Sequence, residues 1–171
     1  GGIAAHVVLV GRDPTPALRD AASQIGDVEL TGAVESALPY LERPCIVTLP
    51  IQIGSGTRLK ILEAFAVGRP VVSTAKGAEG LAVVDSKHLL IREDAETMAS
   101  AVIDLWHHPL QRLRLCERAL ALVRSRYSWS VAAERIADSL GIVRHGPRAT
   151  DGLSGEGRSI TAAAPAPVPI R

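Results

Sequence analysis

The apolar positions fall into short continuous runs separated by segments of helical spacing. His6 to Val10 is one such run and predicts a buried strand. After the loop Gly11-Arg12-Asp13-Pro14-Thr15-Pro16, a short helix is expected from Pro16 to Ile25. Val28 to Thr31 predicts a second strand, Ser36 to Leu41 a helical turn, and Cys45 to Leu49 a third strand. Thr57 is placed to N-cap a helix over Arg58 to Val67, with Leu59, Leu62 and Ala66 as its apolar stripe and Gly68 just past its end. Pro70 to Ser73 predicts a fourth strand, Lys76 to Gly80 a loop, and His88 to Ile91 a short fifth strand. Asp94 should cap a helix reaching Trp106. Pro109 should start one reaching Arg126, and Ser128 or Ser130 a last one reaching Leu140. Continuous apolar strands alternating with helices predict an α/β fold, a Rossmann-like parallel sheet covered on both faces.

From about Arg144 the periodicity stops. His145 to Arg171 is rich in Gly, Pro, Ser, Thr and Ala and ends in a Pro-Ala repeat. The division expected is a folded domain over 1–144 and a disordered tail over 145–171.

Composition narrows the class. Hydrophobic residues make up 47% and charged residues 22%, which is globular. A net charge of +1 gives no reason to expect nucleic acid or an anionic surface as partner. Cys45 and Cys116 lack CxxC or Cys/His spacing and read as buried free thiols of a reducing compartment. No apolar run approaches the roughly 18 residues of a membrane span. Gly1-Gly2-Ile3 does not read as a signal peptide and carries no initiator Met, so these residues are not expected to be a natural beginning.

The candidate chemistry sits between the third strand and the helix after it. Gly54-Ser55-Gly56-Thr57 is a glycine turn running into a helix with Arg58 and Lys60 in its first turn. Cations there oppose the helix dipole, and a bound phosphate would offset that. The turn is neither a Walker A loop nor a dinucleotide fingerprint. Taken by itself, it is as well explained as an ordinary strand–helix turn. In a doubly wound sheet, however, ligands bind beyond the carboxyl ends of the strands. Three glycine-containing loops fall at that edge: Gly11 to Pro16, Gln52 to Thr57 and Thr74 to Gly80. Glu63, one turn into the helix, could hold a vicinal diol with its carboxylate or simply be a solvated glutamate paired with Lys60. The adjacent His107-His108 reads as the end of a helix, and no Asp-x-Asp or His/Asp cluster offers a metal site.

The run Thr57-Arg58-Leu59-Lys60-Ile61-Leu62-Glu63-Ala64-Phe65-Ala66, then Gly68, Pro70-Val71-Val72-Ser73-Thr74 and Gly77-Ala78-Glu79-Gly80-Leu81, resembles the nucleotide-binding half of family 4 (group 1) glycosyltransferases. Tyr127-Ser128-Trp129-Ser130 resembles the segment before that family's last helix. The likeness runs from about His6 to Ile142 and implies the C-terminal half of a GT-B architecture.

By that resemblance Glu63 matches the second Glu of an E-x7-E motif, which binds ribose hydroxyls. The first Glu would fall at position 55, where this chain has Ser55. Gly54 to Thr57 matches the loop whose N–H groups meet the diphosphate, and Gly11-Arg12 the start of a loop near the base. Arg58 and Lys60 supply cations beside it. The reaction implied is metal-independent, cofactor-free transfer of a sugar from a UDP- or GDP-sugar, with retention, in bacterial polysaccharide or glycolipid synthesis. The acceptor would bind a preceding N-terminal domain, in the cytoplasm and at the inner face of the membrane.

The family's opening strand, central in the order 3-2-1-4-5-6, has no counterpart here, and its absence leaves His6–Val10 and Cys45–Leu49 flanking a gap. The expectation is a fragment that alone neither transfers sugar nor folds cooperatively. Two alternatives stay open, a stand-alone nucleotide-binding module and a nucleotide-sugar epimerase of the same architecture. A Rossmann dehydrogenase is disfavoured by the absent third glycine.

Overall fold

The computed structural model describes residues 5–54, 58–128, 130–131 and 139. The expected helix from Ser128 or Ser130 to Leu140 and the tail over 145–171 lie largely or wholly outside them.

The order along the chain is strand and helix in alternation. Strand β1 (Val7–Val10) leads to α1 (Pro16–Ile25), β2 (Val28–Gly32), α2 (Leu38–Leu41) and β3 (Val47–Leu49). Then come α3 (Leu59–Ala66), β4 (Val71–Ser73), α4 (Ala75–Ala78), β5 (Leu90–Ile91), α5 (Ala95–His107) and α6 (Pro109–Arg126). Every strand pairing is parallel. Val8 lies opposite Glu29, Thr48 opposite Val72, and Ser73 opposite Ile91.

The sheet is in two pieces, β1-β2 and β3-β4-β5, with no ladder joining β1 to β3 among the described residues. The break falls between the two strands that the family resemblance puts on either side of a gap.

Local chemistry explains most boundaries. Thr15 caps α1 by accepting from Leu18 N–H, and Pro16 takes the first helical position, where its missing N–H costs nothing. Asp94 caps α5, its Oδ1 accepting from Thr97 N–H at 2.8 Å. The segment over Lys76 to Gly80 is not simply a loop, as Ala75 to Ala78 form a helical turn. Thr74 nucleates it by accepting from Gly77 N–H at 2.9 Å. Ser36 likewise accepts from Leu38 N–H, so α2 begins two residues later than its composition suggests.

The apolar stripe of α3 is also corrected. Ile61, Ala64 and Phe65 are the buried residues, whereas Leu59 is 57% exposed. Almost every position of this helix is apolar, so packing against the sheet selects the inward face. The strand β4 is buried throughout, and its alternating side chains serve two cores. Val71 joins Ile61, Phe65, Leu89 and Ala119 on one face. Val72 joins Leu90, Met98, Ala101, Leu105 and Leu115 on the other. Helices α3 and α5 thereby cover opposite faces and hold the carboxyl edge of β3-β4-β5 in place.

Candidate functional site at the carboxyl edge of the sheet

The loops beyond β3, β4 and β5 are tied to one another. Thr74 Oγ1 donates to Ile51 O, and Thr74 N–H donates to Leu49 O. Arg92 N–H donates to Ser73 O at 2.8 Å. Gln52 Nε2 donates to Glu93 O at 3.2 Å, and the Glu93 carboxylate accepts from Ala75 N–H at 2.8 Å. Such bonds from backbone and short side chains make a rigid floor. Gly77 belongs to it, for a Cβ there would collide with Ser73 Oγ.

Arg58 occupies the N-cap position of α3. Its side chain is only 8% exposed. Nη2 donates to Gly54 O at 3.4 Å and to Glu79 Oε2 at 3.3 Å. Nε is buried and has no hydrogen-bond partner among the described residues. Burying a guanidinium without satisfying its donors is costly, so this arrangement calls for an acceptor. The same Glu79 oxygen accepts from Lys76 Nζ at 2.6 Å. These two cations, Lys76 first, hold the Glu79 carboxyl below the usual carboxylate range. Neither Lys76 nor Glu79 was singled out as a site residue from the sequence. Their signal there is position in the loop after the fourth strand and, for Glu79, its place in the run Gly77-Ala78-Glu79-Gly80-Leu81 that carries the family resemblance.

The residues singled out from the sequence divide as follows. Gly54 has φ 136°, a conformation that favours glycine, and its carbonyl meets Arg58. Ser55, Gly56 and Thr57 lie outside the described residues, but the N-cap position expected for Thr57 falls instead on Arg58, which makes no side-chain cap, so α3 starts one residue later than expected. Lys60 and Glu63 are both exposed on the solvent side of α3, and no ion pair joins them among the described residues. Arg12 is exposed in the loop after β1, where Asp13 has φ 51°, and it makes no hydrogen bond to the Arg58 cluster. The structure thus joins Gly54 to Arg58 by a hydrogen bond, and among the described residues none links Arg12 to that pair.

Among the described residues no group of three or more His, Cys, Asp or Glu could hold a metal ion. His108 closes α5 with a hydrogen bond between Nδ1 and Asp104 O at 2.7 Å. No described helix is long and apolar enough to cross a membrane.

No curated protein matches the chain. Among solved structures it is similar to the C-terminal domain of LpcC, a glycosyl transferase group 1 family protein of Francisella tularensis. The identity is 22% and the TM-score 0.58, covering 66% of this chain and 62% of that one. It is similar also to HepE of Anabaena in complex with UDP and glucose. Here identity is 20% and TM-score 0.67, over 80% of this chain and 40% of that one. A third is a TarM variant of S. aureus in complex with fondaparinux, α-GlcNAc-glycerol and UDP, at 21% identity and TM-score 0.58, over 71% and 25%. At these identities the likeness shows the fold, and the chain spans less than two thirds of each protein. The sequence profile described as "Glycosyl transferases group 1" matches residues 2–108. With parallel strands, helices on both faces of β3-β4-β5 and this match over more than half its length, the chain belongs to the group 1 glycosyltransferases of GT-B fold.

Proposed function

We propose that this chain is the donor-binding part of an enzyme that transfers a sugar from a nucleotide diphospho-sugar to an acceptor. The observation that carries this reading is Arg58, a guanidinium held in place at the start of α3 with its Nε unpartnered. A planar fork of donors matches carboxylates and phosphoryl groups alike, and Glu79, which meets only Nη2, leaves Nε for a further anionic oxygen such as a diphosphate brings.

In this reading the leaving diphosphate meets Arg58, Lys60 and the N–H groups of the Gly54–Thr57 turn. Glu63 accepts hydrogen bonds from the ribose hydroxyls, and Arg12 lies towards the base. The bond from the anomeric carbon to the phosphate oxygen breaks as that carbon bonds to the acceptor oxygen, and the proton given up by the acceptor hydroxyl passes to the departing phosphate oxygen. Negative charge grows on the diphosphate, and Arg58, already held in place at the start of α3, would stabilise it with little reorganisation of its own. We infer transfer with retention, without a metal or cofactor, in bacterial polysaccharide or glycolipid assembly. The acceptor would be held by a domain outside this chain. The free thiols Cys45 and Cys116 suit the reducing cytoplasm, and the working site would be the inner face of the membrane.

The test is calorimetric titration of UDP-glucose and GDP-mannose into the chain and into Glu63→Ala. Loss of a charge-assisted hydrogen bond costs about 1.5–3 kcal/mol, a weakening of roughly 10- to 150-fold. An affinity within about a factor of two of the parent would remove Glu63 from the ribose.

A further inference from the structure

We propose that Arg58 and Lys76 form a phosphoryl-oxygen site which the Glu79 carboxylate occupies as an internal counter-ion, and that an incoming diphosphate displaces Glu79. This rests on the nucleotide-sugar reading and extends it to two residues, Lys76 and Glu79.

The geometry carries the argument. One oxygen, Glu79 Oε2, accepts from both cations, at 3.3 Å from Arg58 Nη2 and 2.6 Å from Lys76 Nζ. A single anionic oxygen between two cationic donors is the arrangement a phosphoryl oxygen would adopt. The three side chains are not equally free to move. Arg58 is 8% exposed, whereas Lys76 is 40% and Glu79 58% exposed. The guanidinium is therefore fixed and the carboxylate lies on its solvent side.

Glu79 is also where α4 ends. It is the C-cap residue, in extended conformation, and Gly80 follows with φ 82°. Its side chain can swing into water without disturbing the floor below, which is held by Thr74 and Gly77. The exchange favours a diphosphate for two reasons. An exposed ion pair such as Glu79–Lys76 contributes little, so losing it costs little. A diphosphate also brings several acceptor oxygens and more charge, enough to satisfy Arg58 Nε, which Glu79 leaves unpaired.

The experiment titrates inorganic pyrophosphate and, separately, UDP into the full chain, with Glu79→Gln and Lys76→Gln as variants and circular dichroism to verify the fold. Glu79→Gln should tighten pyrophosphate binding by roughly 2- to 5-fold, since a competing exposed ion pair is removed. Lys76→Gln should weaken it by a similar factor. Unchanged or weaker pyrophosphate binding in Glu79→Gln overturns the proposal. Should that variant not fold, Lys76→Gln decides, and parental affinity there overturns it. UDP binding at parental strength in both variants leaves the nucleotide reading standing and sinks this one. Pyrophosphate binding that responds to Glu79 in a chain indifferent to UDP does the reverse.

Discussion

The hydroxyl of Tyr127 accepts a hydrogen bond from the backbone N–H of Ala82 at 2.7 Å, across 45 residues of sequence. It fastens the end of α6 to the segment that follows α4. That segment begins with Glu79 and Gly80, so the bond anchors the loop carrying the counter-ion of Arg58. Tyr127→Phe removes the acceptor and keeps the ring. We expect a loss of about 1 kcal/mol in denaturant unfolding. A midpoint equal to that of the parent would show that water replaces the bond at no cost.

Gly77 tests the rigidity of the floor. Ser73 Oγ, which donates to Leu49 O at 3.3 Å, stands where an alanine Cβ would go, and Leu49 O itself would lie 3.3 Å from it. Ser73 and Thr74 are fully buried and cannot give way freely. Gly77→Ala should therefore destabilise by about 1–3 kcal/mol, the range for overpacking a filled interior. Gly11→Ala, where a Cβ meets nothing within 4 Å, should stay within about 0.5 kcal/mol of the parent.

Two histidines should respond to pH with opposite signs. His88 is buried and its Nδ1 accepts from Val84 N–H at 3.0 Å. Burial, with Lys87 and Arg118 nearby, holds its pKa below the ordinary 6.5. The folded state thus favours the neutral ring. That contribution is complete above the unfolded value and is lost as pH falls through the folded one. His6 is exposed, and hydrogen bonds to Asp27 and Glu29 raise its pKa. Its contribution is complete below the unfolded value and is lost as pH rises through the folded one. Between about pH 7.5 and 5 the gap in Tm between parent and His88→Gln should narrow, and that for His6→Gln should widen. A His88 gap constant over this window would mean that the ring stays solvated.

The cysteines should be slow to react in the native chain. Burial pushes the Cys116 thiol up to about 11 and raises Cys45 as well, against a smaller opposing pull from Arg69. At pH 8 about one Cys116 in a thousand is thiolate. Iodoacetamide should label both far faster after unfolding in guanidinium. Native labelling of Cys116 at the unfolded rate would place it at the surface.

What was legible in the sequence was whatever local chemistry decides. Helices α1 and α6 begin where Pro16 and Pro109 put them, and Asp94 caps α5 as its side chain requires. The family likeness was equally plain from the run through Arg58 and Glu63. The inward face of α3 was not legible, because Leu59 and Leu62 are as apolar as Ile61 and Phe65 and only the sheet distinguishes them. α4 was hidden by Gly77, a residue that usually ends helices and is admitted here because nothing larger fits. Pairing of Arg58 with Glu79 spans 21 positions and depends on how the loops after β3 and β4 approach each other. No local pattern encodes that.

The two-piece sheet gives the chain an uneven resistance to opening. Between them the two apolar clusters draw on β4, β5 and the helices α3, α5 and α6, while β1, α1 and β2 contribute only Ala22 to the buried set among the described residues. Among the described residues no backbone ladder passes strain from one piece to the other. In deuterated water the amides of Val8, Leu9 and Leu30 should therefore exchange through a low-energy local opening, long before those of Val71 and Val72. The Arg58 site sits on the slowly exchanging piece, so its geometry should outlast the loss of the other strand pair.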